Sequence, residues 1–344
     1  MQAVVLAAGK GKRMRGLCDN FAKPMLPLAN TPLLAHILEG LAPAGIRKAH
    51  VVIGHCAEQI RSYFADRTRA PIELNFIGQP QPTGTGSAVL LAGDFLKDES
   101  FLLAFGDIVV AQRTYRLIVE HLRATACDAV LSVRRVEDPC EGAAVFVEDG
   151  FVKRIVEKPP AGTSASRFNN AGIFVLPAEV FTFLAKAPLS PRGEYELTDA
   201  LQAMLDAGMR VAAYDIEGFW FNLTEPEALL AANAAVLGER CPKLSDAPGA
   251  QVREPVAIGR DCRIGKCELG PEASIGDGCA LEDGCVVSRS ILMTGARVGN
   301  GARVRYAVVG PRAEVPAFAD RSGKPCAPRQ ASRGGRAGAV VILP

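Results

Sequence analysis

Between residues 258 and 308 the chain repeats itself every 17 residues. With 258–274, 275–291 and 292–308 set under one another, Ile258, Ile275, Leu292 and Val309 share one column. Ile264, Leu281, Val298 and Val315 share a second, and Cys262, Cys279, Ala296 and Ala313 a third, two places earlier. Aliphatic residues five or six apart, followed by glycine after 258, 264, 275 and 298, match neither the helical period nor a long alternating strand. The pattern predicts a hexapeptide-repeat β-helix, three short strands to a coil, each turning one aliphatic side chain inward. Small residues in the third column suit tight corners, so Cys262, Cys279 and Cys285 read as corner fillers rather than metal ligands.

The rest of the 344 residues is long enough for a second domain, and 49% hydrophobic content can fill its core. Here short apolar runs alternate with helical patterns. Ala3–Ala8, His50–Gly54, Ile72–Ile77, Ser100–Ala104, Ala129–Val133 and Arg210–Asp215 read as strands. Thr31–Leu41 and Tyr115–Ala124 read as helices, the first with Thr31 as cap and Pro32 in its first turn. A further helix starts at a capping box, Thr224 to Glu227. Such alternation argues for a Rossmann-like, mostly parallel sheet covered by helices. The expected divisions are an α/β domain at 1–236, a linker at 237–255, the β-helix at 256–316 and a Pro/Gly/Arg-rich tail at 317–344.

A formal net charge of +2 gives no general attraction to nucleic acid or to a membrane surface. No apolar run is long enough to predict a membrane span. The positive charges of MQAVVLAAGKGKR follow its apolar run, the reverse of a secretory leader. Ten cysteines without a C-x-x-C pair are then expected to be mostly free thiols, in a cytoplasmic protein.

The stretch LAAGKGKRMRGLCDNFAKPM, residues 6–25, packs glycines between cations directly behind the first strand. It fails the P-loop pattern, because Arg13 follows Gly11-Lys12, and it fails the dinucleotide pattern, because Met14 takes the place of the third glycine. A strand ending in Gly-x-Gly can still offer backbone amides to an anion, and Arg13 and Lys23 add fixed positive charge. The loop suits a triphosphate better than a dinucleotide.

This stretch resembles the opening of the sugar-1-phosphate nucleotidylyltransferases, L-A-A-G-x-G-T-R-M-x-P-L-T and then P-K-P-M-L-P. Further segments follow in that family's order: QPQPTGTGSAV at 79–89, LLAFGDIVV at 102–110, IVEKP at 155–159, FNNAGIFVL at 168–176, PRGEYELTDAL at 191–201 and GFWFNLTEPEALLAAN at 218–233. Long members, including the bifunctional uridylyltransferase/acetyltransferase of UDP-N-acetylglucosamine synthesis and its archaeal-type relatives, also carry a C-terminal left-handed β-helix. The resemblance implies in-line attack of a sugar 1-phosphate on a nucleoside triphosphate, with release of pyrophosphate and no covalent intermediate. It places the triphosphate on Leu6, Ala8, Gly9, Gly11 and Arg13, with Lys23 at the reacting phosphates. Asp107 would hold Mg²⁺, with Asn222 where many relatives have a second metal-binding Asp. Gln79, Gly84 and Thr85 would read the base, with a lean toward UTP or dTTP. Gly142, Glu157, Lys158, Asn170 and Gly172 would hold the sugar phosphate. A homo-oligomer assembled through the β-helix, and a place in cell-envelope polysaccharide synthesis, fit the same family.

Lys12, Gly16, Cys18 and Ala22 depart from the family pattern, while both anion-binding cations are retained. Activity is therefore expected, with a looser loop and a raised triphosphate KM. The histidines are His36, His50, His55 and His121, none of them in the β-helix. Acetyl transfer, which generally needs a histidine base, is not expected there. The remaining alternatives are a mannose-1-phosphate guanylyltransferase and a non-catalytic regulatory chain.

Overall fold

A computed structural model describes residues 1–96, 99–240, 247–324 and 341–343. Part of the expected linker (241–246) and most of the expected tail lie outside the described residues.

Nine strands form the central sheet: β1 (Ala3–Ala7), β2 (Lys48–Ile53), β3 (Glu73–Gly78), β4 (Phe101–Phe105), β5 (Ala129–Arg135), β6 (Ala143–Glu148), β7 (Phe151–Glu157), β8 (Phe168–Leu176) and β9 (Val211–Asp215). Their spatial order is β3-β2-β1-β4-β8-β5-β9-β7-β6. β1, β2, β3 and β4 pair in parallel, as do β5 and β9. β8 lies antiparallel between β4 and β5, and β7 lies antiparallel between β9 and β6. The strands are thus mostly codirectional, with β7 and β8 reversed. Alternation along β1 divides two cores: Ala3, Val5 and Ala7 face one, Val4 the other. Helices Leu33–Leu41, Arg113–Ala124 and Pro226–Arg240 cover the first face, and Thr85–Leu90 and Leu197–Asp206 the second.

The helix expected from Thr31 begins at Leu33, because Thr31–Pro32 pair with Pro27–Leu28 as a small hairpin. The Thr31 hydroxyl oxygen, rather than capping, accepts a hydrogen bond from Arg240 at 3.3 Å. The expected capping box is likewise replaced. The Thr224 amide donates to Asn222 O, and Glu227 pairs with Arg15 instead.

In the C-terminal domain the 17-residue columns stack as read: Ile258 on Ile275 on Leu292 on Val309, and Ile264 on Leu281 on Val298 on Val315. The third sheet steps by 18 once, Glu268 opposite Val286, where a corner gains a residue. The corner thiols of Cys262 and Cys279 donate to the Gly276 and Met293 carbonyls at 3.2 and 3.3 Å. All eight described cysteines are free. Within the segment read as a tail, Asp320–Ser322 and Val341–Leu343 are strands, the latter pairing with Ala307–Val309 two repeats back.

One outer face of the β-helix, Ala257, Ile291, Met293 and Val308, belongs to the same core as helices Leu33–Leu41 and Pro226–Arg240. Buried Asn233 accepts hydrogen bonds from the Ala29 amide (2.9 Å) and the Ser274 hydroxyl (2.7 Å), and Asn30 donates to Ile275 O at 2.7 Å. The two domains therefore share a packed, hydrogen-bonded junction. No described helix is long and apolar enough to cross a membrane.

Candidate active site

A cleft of about 410 Å³ opens at the carboxyl ends of β1 and β4. Strand ends collect here because a parallel sheet delivers its loops to one edge. Leu6, Ala8, Gly9, Arg13, Lys23, Gln79, Gly84, Thr85, Asp107, Gly142, Glu157, Lys158, Asn170, Gly172 and Asn222 all line it. Gly11 does not. At φ +64°, with a notional Cβ 2.9 Å from Cys18 Cβ, it shapes the loop from behind. Gly16 has φ +84°, which proline, the residue of the family pattern, cannot adopt. The departures at 16 and 18 thus belong to this loop's own path, with the Cys18 side chain filling the space that Gly11 leaves open.

Lys23 sits on a short 3₁₀ turn, Lys23–Met25, and is 8% exposed. Its Nζ reaches Asp107 Oδ2 at 2.6 Å. Asp107 follows β4, and the strand after it, Ile108–Val110, pairs antiparallel with Trp220–Asn222. Ile108 lies opposite Asn222, and the Leu223 amide donates to Asp107 O at 2.9 Å, so residues 115 apart in sequence meet at one wall. Asn222 Oδ1 is buried without a hydrogen-bond partner among the described residues. A carboxylate and an orphaned amide oxygen are hard donors suited to a divalent cation that also takes phosphate and water ligands. No described group of three or more His, Cys, Asp or Glu could hold a metal by itself.

At the corner expected to read the base, the Tyr195 carbonyl closes over Gly84 (φ +121°), leaving no room for a Cβ. Gly86 N donates to Tyr195 O at 2.8 Å, and Thr85 Oγ1 accepts from Leu197 N at 3.1 Å. The Thr85 side chain is thus engaged in joining two loops. The Gln79 side chain has no such bond among the described residues, and its backbone N–H donates to Ile53 O at 2.8 Å.

At the other end, Gly142 admits the Asn169 amide, which a Cβ would exclude, and Asn170 Oδ1 accepts from Gly172 N at 2.9 Å. Glu157 accepts from Arg192 (3.1 Å) and from the Thr198 hydroxyl (3.1 Å). Arg192 also pairs with Glu194 at 2.9 Å and Glu196 at 3.3 Å. Burial, and then the charge of Glu157, push the Glu196 carboxyl above the usual range. Arg192, Glu194, Glu196 and Thr198, all within the family-like segment PRGEYELTDAL, are site residues beyond those expected from the sequence. The available signal was three charges spaced around Gly193.

None of the four histidines lines the cleft. His36 and His55 bond to the Leu28 and Cys18 carbonyls, His50 bonds to Gln2 and Asn75, and His121 packs on Tyr214. Trp220 is half-buried, its indole N–H donating to Ala171 O at 2.9 Å. Such a cleft can hold an anion at its cationic end and a hydroxyl-rich group at its acidic end.

Comparison with known proteins gives the same picture. A glucose-1-phosphate thymidylyltransferase of Streptomyces griseus is 32% identical over 81% of this chain and 83% of its own length. A bifunctional protein GlmU of Methanococcus maripaludis is 33% identical over 71% of this chain, which spans 56% of that protein. A UDP-glucose pyrophosphorylase structure complexed with UDP-glucose shares the fold, with TM-score 0.62 and 21% identity over 70% of this chain and all of the other. Residues 248–322 match the GMPPB C-terminal domain. Residues 2–239 match the nucleotidyl transferase model, and the chain belongs to that family.

Proposed function

We propose that this nucleotidyltransferase joins the nucleotidyl group of UTP or dTTP to a sugar 1-phosphate, with Mg²⁺, releasing pyrophosphate. The reaction class, nucleotidyl transfer to a sugar phosphate, is the one for which the matched relatives are named. The observation that carries the finer reading is the polarity of the cleft. Arg13, Lys23 and the glycine loop stand at one end with Asp107 and Asn222, and hydroxyl acceptors stand at the other.

Arg13 and the loop amides would hold the triphosphate and fix the α-phosphorus for in-line attack. Lys23, already bonded to the Asp107 carboxylate, would carry positive charge to the reacting phosphates. A divalent cation held by the Asp107 carboxylate and Asn222 Oδ1 would neutralise phosphate charge. Lys158 would meet the sugar phosphate, and the carboxylates beside Arg192 would accept sugar hydroxyls. Because attack is direct, no nucleophilic side chain is needed. Self-association through the β-helix and a cytoplasmic location belong to the same proposal, whereas acetyl transfer does not.

A second reading has its own support. The match of residues 248–322 to the GMPPB C-terminal domain favours a guanylyltransferase acting on mannose 1-phosphate. Pyrophosphate release measured for UTP, dTTP, GTP, CTP and ATP against glucose, N-acetylglucosamine, galactose and mannose 1-phosphates separates the two. A preference for UTP or dTTP is expected. A preference for GTP with mannose 1-phosphate would replace the first reading by the second, and silence in every pair would point to a non-catalytic chain.

A further inference from the structure

Met14 is fully buried, and its two arginine neighbours leave it in opposite directions. Arg13 lines the cleft. Arg15, with φ +49°, turns away and places Nη2 2.7 Å from Glu227 Oε1. The Glu227 side chain is only 6% exposed, and neither of its carboxylate oxygens has a hydrogen-bond partner among the described residues, so the contact with Arg15 is an ion pair rather than a directed hydrogen bond. A buried carboxylate is tolerable only with a close cation. Arg15 supplies it, and Glu227 in return fixes where residue 15 lies.

The support behind Glu227 is rigid. It stands in the first turn of helix Pro226–Arg240, which the Asn233 hydrogen bonds tie both to Ala29 and to Ser274 of the β-helix. Glu227 also borders a cavity of about 110 Å³, closed on its far side by the β-helix corner residues Glu272, Arg289 and Tyr306. Arg289 does not substitute for Arg15, because it is paired with Glu272 at 3.3 Å. The loop, by contrast, has freedom of its own. Gly11 and Gly16, both at positive φ, bracket residues 12–15, and a swing of Arg13 is opposed by the turn bonds from Met14 N to Gly11 O (2.9 Å) and from Leu17 N to Met14 O (3.1 Å), by the burial of Met14 and by the Arg15–Glu227 pair.

We propose that Glu227, acting through Arg15, is a positioning residue that holds Arg13 in place for the triphosphate. The inference rests on the triphosphate reading of the loop. It gives the helix that follows Asn222 a second task, since the same segment carries a candidate metal ligand and the anchor of the phosphate loop.

The test uses the full chain and equilibrium binding of UTP, dTTP and GTP, together with KM for each substrate of the best wild-type pair. Glu227→Gln and Arg15→Ala should each weaken triphosphate binding and raise its KM about tenfold, the scale of a slightly misplaced Arg13. The sugar-phosphate KM should stay within about twofold, and the double variant should be no worse than the poorer single one, as for groups acting as one unit. The double variant Arg15→Ala with Glu227→Gln leaves no unpaired buried charge, so it provides a folded protein to measure even if one of the single variants does not fold. Unchanged triphosphate binding in Arg15→Ala overturns the proposal while leaving the loop reading intact. So does an equal rise in both KM values. A wild-type chain that binds no triphosphate overturns both.

Discussion

The two ends of the cleft differ in the sign of their fixed charge and in how that charge is held. At the phosphate end, Arg13 and Lys23 stand on a glycine loop and a 3₁₀ turn close to the first strand, with one carboxylate, Asp107, between cation and solvent. At the sugar end, Glu157, Glu194 and Glu196 share one guanidinium, Arg192, and Glu141 adds a further acid to the wall. A phosphate chain needs fixed positive charge, whereas hydroxyl groups need acceptors. On the proposed assignment the same acids would also repel a triphosphate entering the wrong way round. On that assignment, polarity along the cleft would orient two anionic substrates that repel one another.

The comparison can be broken most decisively at Asp107. Asp107→Ala should lower pyrophosphate release by about a thousandfold or more, because charge neutralisation at the phosphates is lost. A wild-type rate in that variant would remove the metal assignment. The next effect concerns the hairpin after Lys23, whose Leu28 carbonyl accepts a hydrogen bond from His36. Burial, and then the Arg240 charge, lower the His36 pKa from 6.5 to about 4. The neutral form is therefore the folded form. Its stabilisation is complete above pH 6.5 and is lost as pH falls towards 4, by up to about 3 kcal/mol. Urea unfolding across that window should show a steeper acid loss for the wild type than for His36→Gln, and parallel curves would show that His36 titrates normally. The smallest effect sharpens the sugar end. Arg192→Ala should raise the sugar-phosphate KM about tenfold with the triphosphate KM within about twofold, since three carboxylates lose their shared partner. Equal effects on both substrates would mean that the two ends are not independent.

The same contrast explains what could be read in advance. The end proposed for the phosphates lies mostly in two contiguous stretches, residues 6–25, where glycines and cations follow a strand and point to an anion site, and residues 102–110, where a strand ends in Gly106-Asp107. The sugar end is assembled from β6, β7, β8 and the loop before helix Leu197–Asp206, and three of these strands were not read as such. Glu194 and Glu196 are near Arg192 in sequence, but Glu157 lies on β7, and only the fold brings that carboxylate to the same guanidinium. Gly11 was read as a phosphate contact for the opposite reason. A glycine in a phosphate-type loop serves the ligand or the turn, and only the packing of Cys18 against it shows which.

By itself the sequence determined the register of two of the three β-helix sheets, because each coil repeats the same short-range rule and neighbouring coils need only stack it, whereas the one-residue step of the third sheet at Glu268 and Val286 was left to the fold. It also determined the first strands and the cation-rich loop behind them, which are local patterns of burial and charge. Tertiary structure alone decided that the β-helix shares its outer face with the catalytic core. Ala257, Ile291 and Val308 carry no mark that separates docking from solvent exposure until helix Pro226–Arg240 lies against them. It also decided that Glu227 anchors the loop instead of capping its own helix. A carboxylate near a helix start has two possible partners, and the fold brings Arg15 within 2.7 Å while turning the Thr224 amide to Asn222.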